Sequence, residues 1–128
     1  MKMWMCWLPI LILLGCAENE PAPAETKRAI ASTNTAHEAG KKLFFSKCAS
    51  CHMVNKELTG PALKSVQERW PDQQKLYAFI RNSDSVIQVD SYAKNLWLQY
   101  NQTAMPPHPD LTDEQISQIL NYIASVSE

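Results

Sequence analysis

Two cysteines three positions apart, followed at once by a histidine, constrain this 128-residue chain more than any other feature. The run Cys48-Ala49-Ser50-Cys51-His52 reads C-x-x-C-H, the attachment signature of a c-type haem. Two thiols add across the two vinyl groups of the porphyrin, and the two intervening residues set the reach between them. The next side chain, His52, is then held beneath the iron and can supply its imidazole as the proximal ligand. A haem fixed in this way makes a small polypeptide a redox centre, because the cofactor carries the chemistry while the protein positions and tunes it.

Other uses of the same residues set different requirements. A thioredoxin-like C-x-x-C belongs in a βαβ pattern, and none surrounds this one. A zinc site needs a further thiol or imidazole pair at short spacing, whereas His37 and His108 form no H-x-x-x-H pair. A structural disulfide between Cys48 and Cys51 is the third possibility. The remaining cysteines favour haem. Cys6 and Cys16 lie in or beside an apolar stretch, Met3 to Gly15, preceded by Lys2. Residues 1–15 therefore read as an export signal, too short for a spanning helix, which needs about 20 residues. The stretch ends Leu13-Leu14-Gly15-Cys16, which resembles a bacterial lipobox and implies cleavage before Cys16 and a diacylglyceryl group on its sulfur. Leu14 departs from the commoner small or β-branched residue beside the glycine. On this reading one cysteine is discarded, one is lipidated and two hold haem.

The chain beyond the signal has room for one small domain. A core of that size is marginal without a staple, and a covalent haem is one. The balance of 12 basic and 13 acidic residues gives no reason to expect a nucleic-acid partner. Residues 16–35 are rich in Ala, Pro, Glu, Ser and Thr and read as a flexible tether. The globular domain is expected over residues 36–128. Ala36, Gly40, Leu43 and Phe44 fall at helical spacing, with Lys41 and Lys42 outward, so a helix is expected from Ala36 to Lys47, running into the haem motif. Gly40 would let another backbone come close. Near the other end, Thr112 and Gln115 have the spacing of a capping box, and Leu111 and Ile116 that of a hydrophobic staple. Ile116, Ile119, Leu120 and Ile123 continue as an apolar stripe flanked by Tyr122. Two more helices are expected, Asp72 to Arg81 with Leu76, Phe79 and Ile80 on one face, and Ser91 to Tyr100 with Tyr92, Leu96, Trp97 and Tyr100, Ser91 serving as cap.

The sixth iron position decides between a sealed relay and an open reaction site. Met1, Met3 and Met5 leave with the signal, and Met53 adjoins His52 and cannot easily cross to the far face. Met105, in the loop Gln102-Thr103-Ala104-Met105-Pro106-Pro107, is the remaining methionine, and the prolines after it stiffen the loop. Its thioether would raise the reduction potential relative to harder ligand sets. Ordinary packing is the alternative for Met105. His108 is the rival ligand, although between Pro107 and Pro109 it is expected at the surface, as is His37 at the start of the first helix. In Gly60-Pro61-Ala62-Leu63, the Pro61 carbonyl can accept the Nδ1–H of His52 and fix the ring.

These residues together make the chain resemble a class I, monohaem cytochrome c. The match rests on Gly40, Phe44, Cys48, Cys51, His52, Gly60, Pro61, Leu63, Met105, Pro106 and Tyr122, in the family's order from about Ala36 to the end. The short interval from His52 to Pro61 is nearer the compact bacterial type than the mitochondrial one. The resemblance implies an all-α fold of about four helices around one covalent haem c, with the first and last helices crossing where Gly40 and Phe44 meet Leu120–Tyr122. It implies His52 and Met105 as axial ligands, with Pro61 on His52. Trp70 could reach a haem propionate or lie in the core or rim. The expected role is electron transfer, not catalysis, by a monomer tethered at the periplasmic face of the bacterial cell envelope and exchanging electrons with other redox proteins. Lys41, Lys42, Lys47 and Lys56 would steer an acidic partner if they ring the haem edge, or form a solvated helix face. The alternatives are a haem enzyme or ligand sensor with a displaceable sixth ligand, and an accessory subunit of one terminal reductase or oxidase.

Overall fold

The first and last helices meet backbone to backbone at Gly40. The computed structural model describes residues 24–128, with side chains from Asn34 onward. Cys16, the expected signal and residues 16–23 lie outside the described residues. Among those described, the chain is all-helical. The helices are α1 (Ala24–Lys47), α2 (Val66–Arg69), α3 (Gln73–Arg81), α4 (Ser83–Ile87), α5 (Ser91–Gln99) and α6 (Asp113–Ser125). None of them is long and apolar enough to cross a membrane.

Helix α1 starts at Ala24 rather than near Ala36, so much of the segment expected as a flexible tether is helical. The reason is propensity. Ala24, Glu25, Lys27, Arg28, Ala29 and Ala31 are good helix formers, and no proline stands between Pro23 and Pro61. Sparse apolar residues signal a lack of packing, which is a different property from a lack of helix. Adding turns to a helix already nucleated by packing is also far easier than starting one.

The local signals at α6 hold in detail. The Thr112 hydroxyl accepts from the Gln115 N–H at 3.2 Å, and the Thr112 N–H donates to Gln115 Oε1 at 3.0 Å. Leu111 and Ile116 are buried as the staple requires, as are Ile119, Leu120, Tyr122 and Ile123. Asp72 caps α3 through its carboxylate. At α5 the cap is Asp90 rather than Ser91. Its Oδ1 accepts from the Tyr92 and Ala93 N–H groups at 3.0 and 3.1 Å, and a carboxylate at that position also complements the helix dipole. The two helices without a periodic signal, α2 and α4, are four and five residues long, too short for a face to repeat.

A β-carbon at Gly40 would collide with the Gln118 carbonyl oxygen, stand 2.6 Å from its carbon and press on Tyr122 Cβ at 3.2 Å. Phe44, one turn on, packs its ring against Tyr122 with centroids 5.5 Å apart. His37, expected in solvent, is half-buried in the same crossing. Its ring meets Tyr122 edge-on at 5.4 Å, and its Nδ1 lies 3.4 Å from Ser125 Oγ. The close approach allowed by Gly40 brings α6 within reach of that histidine.

Gly40→Ala sets two effects against each other. Alanine favours an isolated helix over glycine by about 1 kcal/mol. The collision is with backbone, which cannot rotate away, and overpacking of this kind costs typically about 1–3 kcal/mol. The variant is expected to be destabilised by up to about 2 kcal/mol net in a denaturant titration of the haem-loaded protein; a midpoint above that of the parent would contradict the crossing.

Candidate functional site

Helix α1 leads directly into the cysteine motif. Past Lys47 the backbone tightens, with the Cys48 and Ala49 N–H groups both donating to Phe44 O and the Cys51 and His52 N–H groups to Cys48 O. This turn is what brings Cys48, Cys51 and His52 to the lining of a cavity formed by helices and loops together. Both thiols are free, so the structural disulfide is absent. Among the described residues no three His, Cys, Asp or Glu side chains converge to hold a metal ion. Before any haem is attached, burial pushes the free Cys48 thiol up to about 11, against the opposing pull of Lys47.

The segment after the motif folds back beneath His52. The Gly60 N–H donates to Cys51 O at 2.9 Å, and Leu63 and Lys64 donate to Met53 O and Val54 O. Pro61 O then lies 2.9 Å from His52 Nδ1. A carbonyl can only accept, so Nδ1 carries the proton in this contact, and in the neutral ring Nε2 then has the lone pair that a metal needs. Gly60 is required for the approach. A β-carbon there would stand 2.8 Å from His52 Nδ1 and 3.0 Å from Nε2, inside the ring's own volume.

Met105 lies in the wall of the same cavity, half-buried on a loop whose neighbours Ala104, Pro106 and Pro107 are exposed. His108 lines it too and is half-buried, not exposed as expected. Its N–H donates to Arg81 O at 3.1 Å, and its carbonyl accepts from the Leu111 N–H at 3.2 Å, which turns the residue inward. Burial, with Lys47 nearby, holds its imidazole below the ordinary histidine value. His52, Met105 and His108 are thus brought together, and His37 is not. The rest of the wall is mainly apolar and aromatic, with Leu63, Leu76, Phe79, Ile80, Ile87, Leu96, Trp97 and Leu120 prominent.

Trp70 belongs to the core, with its ring 5.1 Å from both Phe79 and Tyr92, and it also borders the cavity. No described residue accepts its indole N–H. Arg69 stands beside it, bonded to the Lys64 and Ala62 carbonyls. The four lysines do not act as one group. Lys47 pairs with Asp110 at 2.8 Å and holds that carboxyl below the usual range, whereas Lys41, Lys42 and Lys56 are exposed.

An apolar cavity, two free thiols at one wall and a histidine with its outer nitrogen already bonded fit a covalently held haem. The Cytochrome c family model matches residues 37–127. The chain belongs to the cytochrome c family. Among solved structures, cytochrome c from Rhodothermus marinus is 29% identical, with a TM-score of 0.61 over 70% of this chain and 75% of that one. An engineered cytochrome c from Rhodothermus marinus bound to a carbene intermediate is 28% identical, with a TM-score of 0.57 over 70% and 75% of the two chains. A comparison with curated proteins found no match. The cofactor of this cytochrome c is haem c, held covalently, and Cys48 and Cys51 have the spacing for its attachment.

Sequence reasoning missed three long-range side-chain bonds that shape the site. Ser83 donates to Met105 O at 2.9 Å, Arg81 Nε donates to Leu111 O at 2.9 Å, and the Tyr100 hydroxyl donates to Glu57 Oε1 at 2.6 Å. Each partner lies at least 22 positions away along the chain, so no local pattern marks it.

The Tyr100–Glu57 bond ties the end of α5 to the loop beneath His52. It raises the phenol from 10.0 to about 12, the hydrogen bond to Glu57 being the main cause. The bond favours the protonated folded form, so its support is complete below the ordinary phenol value and fades as pH rises towards 12. Glu57→Gln is expected to bring Tyr100 ionisation back towards 10.0, read as phenolate absorbance in an alkaline titration; an unchanged curve would show that the bond does not form in solution.

Proposed function

We propose that this cytochrome c carries single electrons between redox proteins of the bacterial cell envelope, with His52 and Met105 as the protein ligands of the iron. The observation that carries the reading is that both residues line one cavity whose wall also contains Cys48 and Cys51. Haem c, when bound, supplies an iron that takes up and gives back one electron. The chain's own residues set the conditions for that. Pro61 and Gly60 fix the His52 ring, so its orientation does not have to change with oxidation state. The apolar walls exclude water and lower the local dielectric, which disfavours the more charged oxidised form. A thioether from Met105 favours the reduced form in the same direction.

Confinement to the envelope rests on the sequence. Cleavage before Cys16 and lipidation of its sulfur would hold the domain at the periplasmic face and raise its effective concentration near membrane-bound partners. Exposed Lys41, Lys42 and Lys56 would then favour an acidic partner surface, and the domain would work as a monomer. A second reading, an open haem site that binds or transforms ligands, draws on the engineered relative that holds a carbene intermediate. It requires Met105 to leave the iron or never to reach it.

Met105→Ala separates the two. On the relay reading the oxidised parent shows the iron–sulfur charge-transfer band at the red end of its spectrum. The variant loses that band, and its reduction potential falls in a redox titration. Unchanged spectra and potential would remove Met105 from the iron.

A further inference from the structure

We propose that Ser83 is the latch that keeps Met105 seated, and so controls how readily a foreign ligand reaches the iron. The inference rests on the His52/Met105 reading above. Ser83 is the one buried polar side chain in the core among the described residues, with 1% of its surface exposed. Its hydroxyl donates to the Met105 carbonyl at 2.9 Å.

The loop has little else to hold it at that point. Pro106 and Pro107 have no N–H to donate. Among the described residues, the Ser83 bond is the only hydrogen bond that reaches any residue from Ala104 to Pro107. The next attachments are the Thr103 N–H on Tyr100 O and the His108 N–H on Arg81 O, one on either side. The donor, by contrast, is anchored. Ser83 opens α4, where Asn82 Oδ1 accepts from the Ser85 N–H at 3.3 Å, and Val86 and Ile87 of the same helix are buried. A sparsely bonded stretch is therefore tied by one bond to a rigid element.

The energetic consequence depends on where the Met105 carbonyl finds its partner. With the loop seated, Ser83 supplies it. With the loop lifted, water supplies it. Removing the hydroxyl leaves the carbonyl short of a partner only in the seated state, so the lifted state gains by the net worth of one hydrogen bond, a factor of about 3–10. A ligand that competes with Met105 binds more tightly by the same factor, because its competent state is more populated. Ser83 acts here through Met105 and is a positioning residue.

The test compares Ser83→Thr with Ser83→Val in the full haem-loaded protein. The two side chains have nearly the same shape and burden the core alike, but only threonine keeps the hydroxyl. The readouts are equilibrium binding of imidazole to the oxidised protein and the temperature at which the iron–sulfur charge-transfer band is lost. The valine variant is expected to bind imidazole about 3–10-fold more tightly than the threonine variant and to lose the band at a lower temperature. Equal affinities and equal temperatures would overturn the latch while leaving Met105 ligation intact. Absence of the band from the unsubstituted protein would overturn the ligand reading and the latch with it, and that result is visible before any substitution is made.

Discussion

The contact of Gly40 with the Gln118 carbonyl sets the distance between α1 and α6, and the haem motif is the direct continuation of α1. Any side chain at Gly40 would force the helices apart and carry Cys48, Cys51 and His52 with them. Phe44 and Tyr122 fill the next layer of the crossing, and Ile119, Leu120 and Ile123 of α6 line the cavity behind it. The position of the cysteine motif relative to the cavity walls is therefore decided at a point about two turns away from it. Dispersion and burial hold the crossing together, and a missing methyl group permits it.

Two further segments that line the cavity are held with different strengths. Beneath His52 the chain is bonded densely, through Gly60 to Cys51, Leu63 to Met53, Lys64 to Val54 and Pro61 to the imidazole itself. Around Met105 the backbone is proline-rich and, among the described residues, tied by Ser83 alone. Beyond that point Arg81 takes over, accepting from the His108 N–H and donating to Leu111 O and Asp113, while Lys47 holds Asp110. The asymmetry suits the proposed ligand pair, with His52 as the permanent ligand and Met105 as the weaker one. The carrier function and the ligand-binding alternative then differ by the stability of one short loop, with no change of fold.

Much of this is legible in the sequence because it is local. The C-x-x-C-H motif, the Thr112–Gln115 box, the Leu111–Ile116 staple and the isoleucine stripe of α6 are each written within a few residues, and each takes its expected form or place. Gly40 is readable as a close approach because it shares a face with Phe44. The departures have physical reasons. The helical residues before Ala36 have propensity without apolar periodicity, and periodicity marks only helices that pack. Asp90 displaces Ser91 as a cap because a carboxylate can accept two amides one residue earlier. His37 and His108 read as exposed because burial is decided by what packs over them, α6 in one case and Arg81 with the cavity rim in the other. Ser83 leaves no trace at all, since a serine in a five-residue helix gains meaning only from a carbonyl 22 positions away.

The central claim is that a haem is joined through sulfur to both Cys48 and Cys51. Mass spectrometry of peptides from the mature protein, unfolded and digested without reductant, addresses it most directly. The peptide containing residues 48–52 should carry the mass of one haem, and fragmentation should place it on the two cysteines. Recovery of that peptide with two unmodified thiols, or with the two cysteines joined to each other, from protein expressed with an active haem-attachment system would contradict the account.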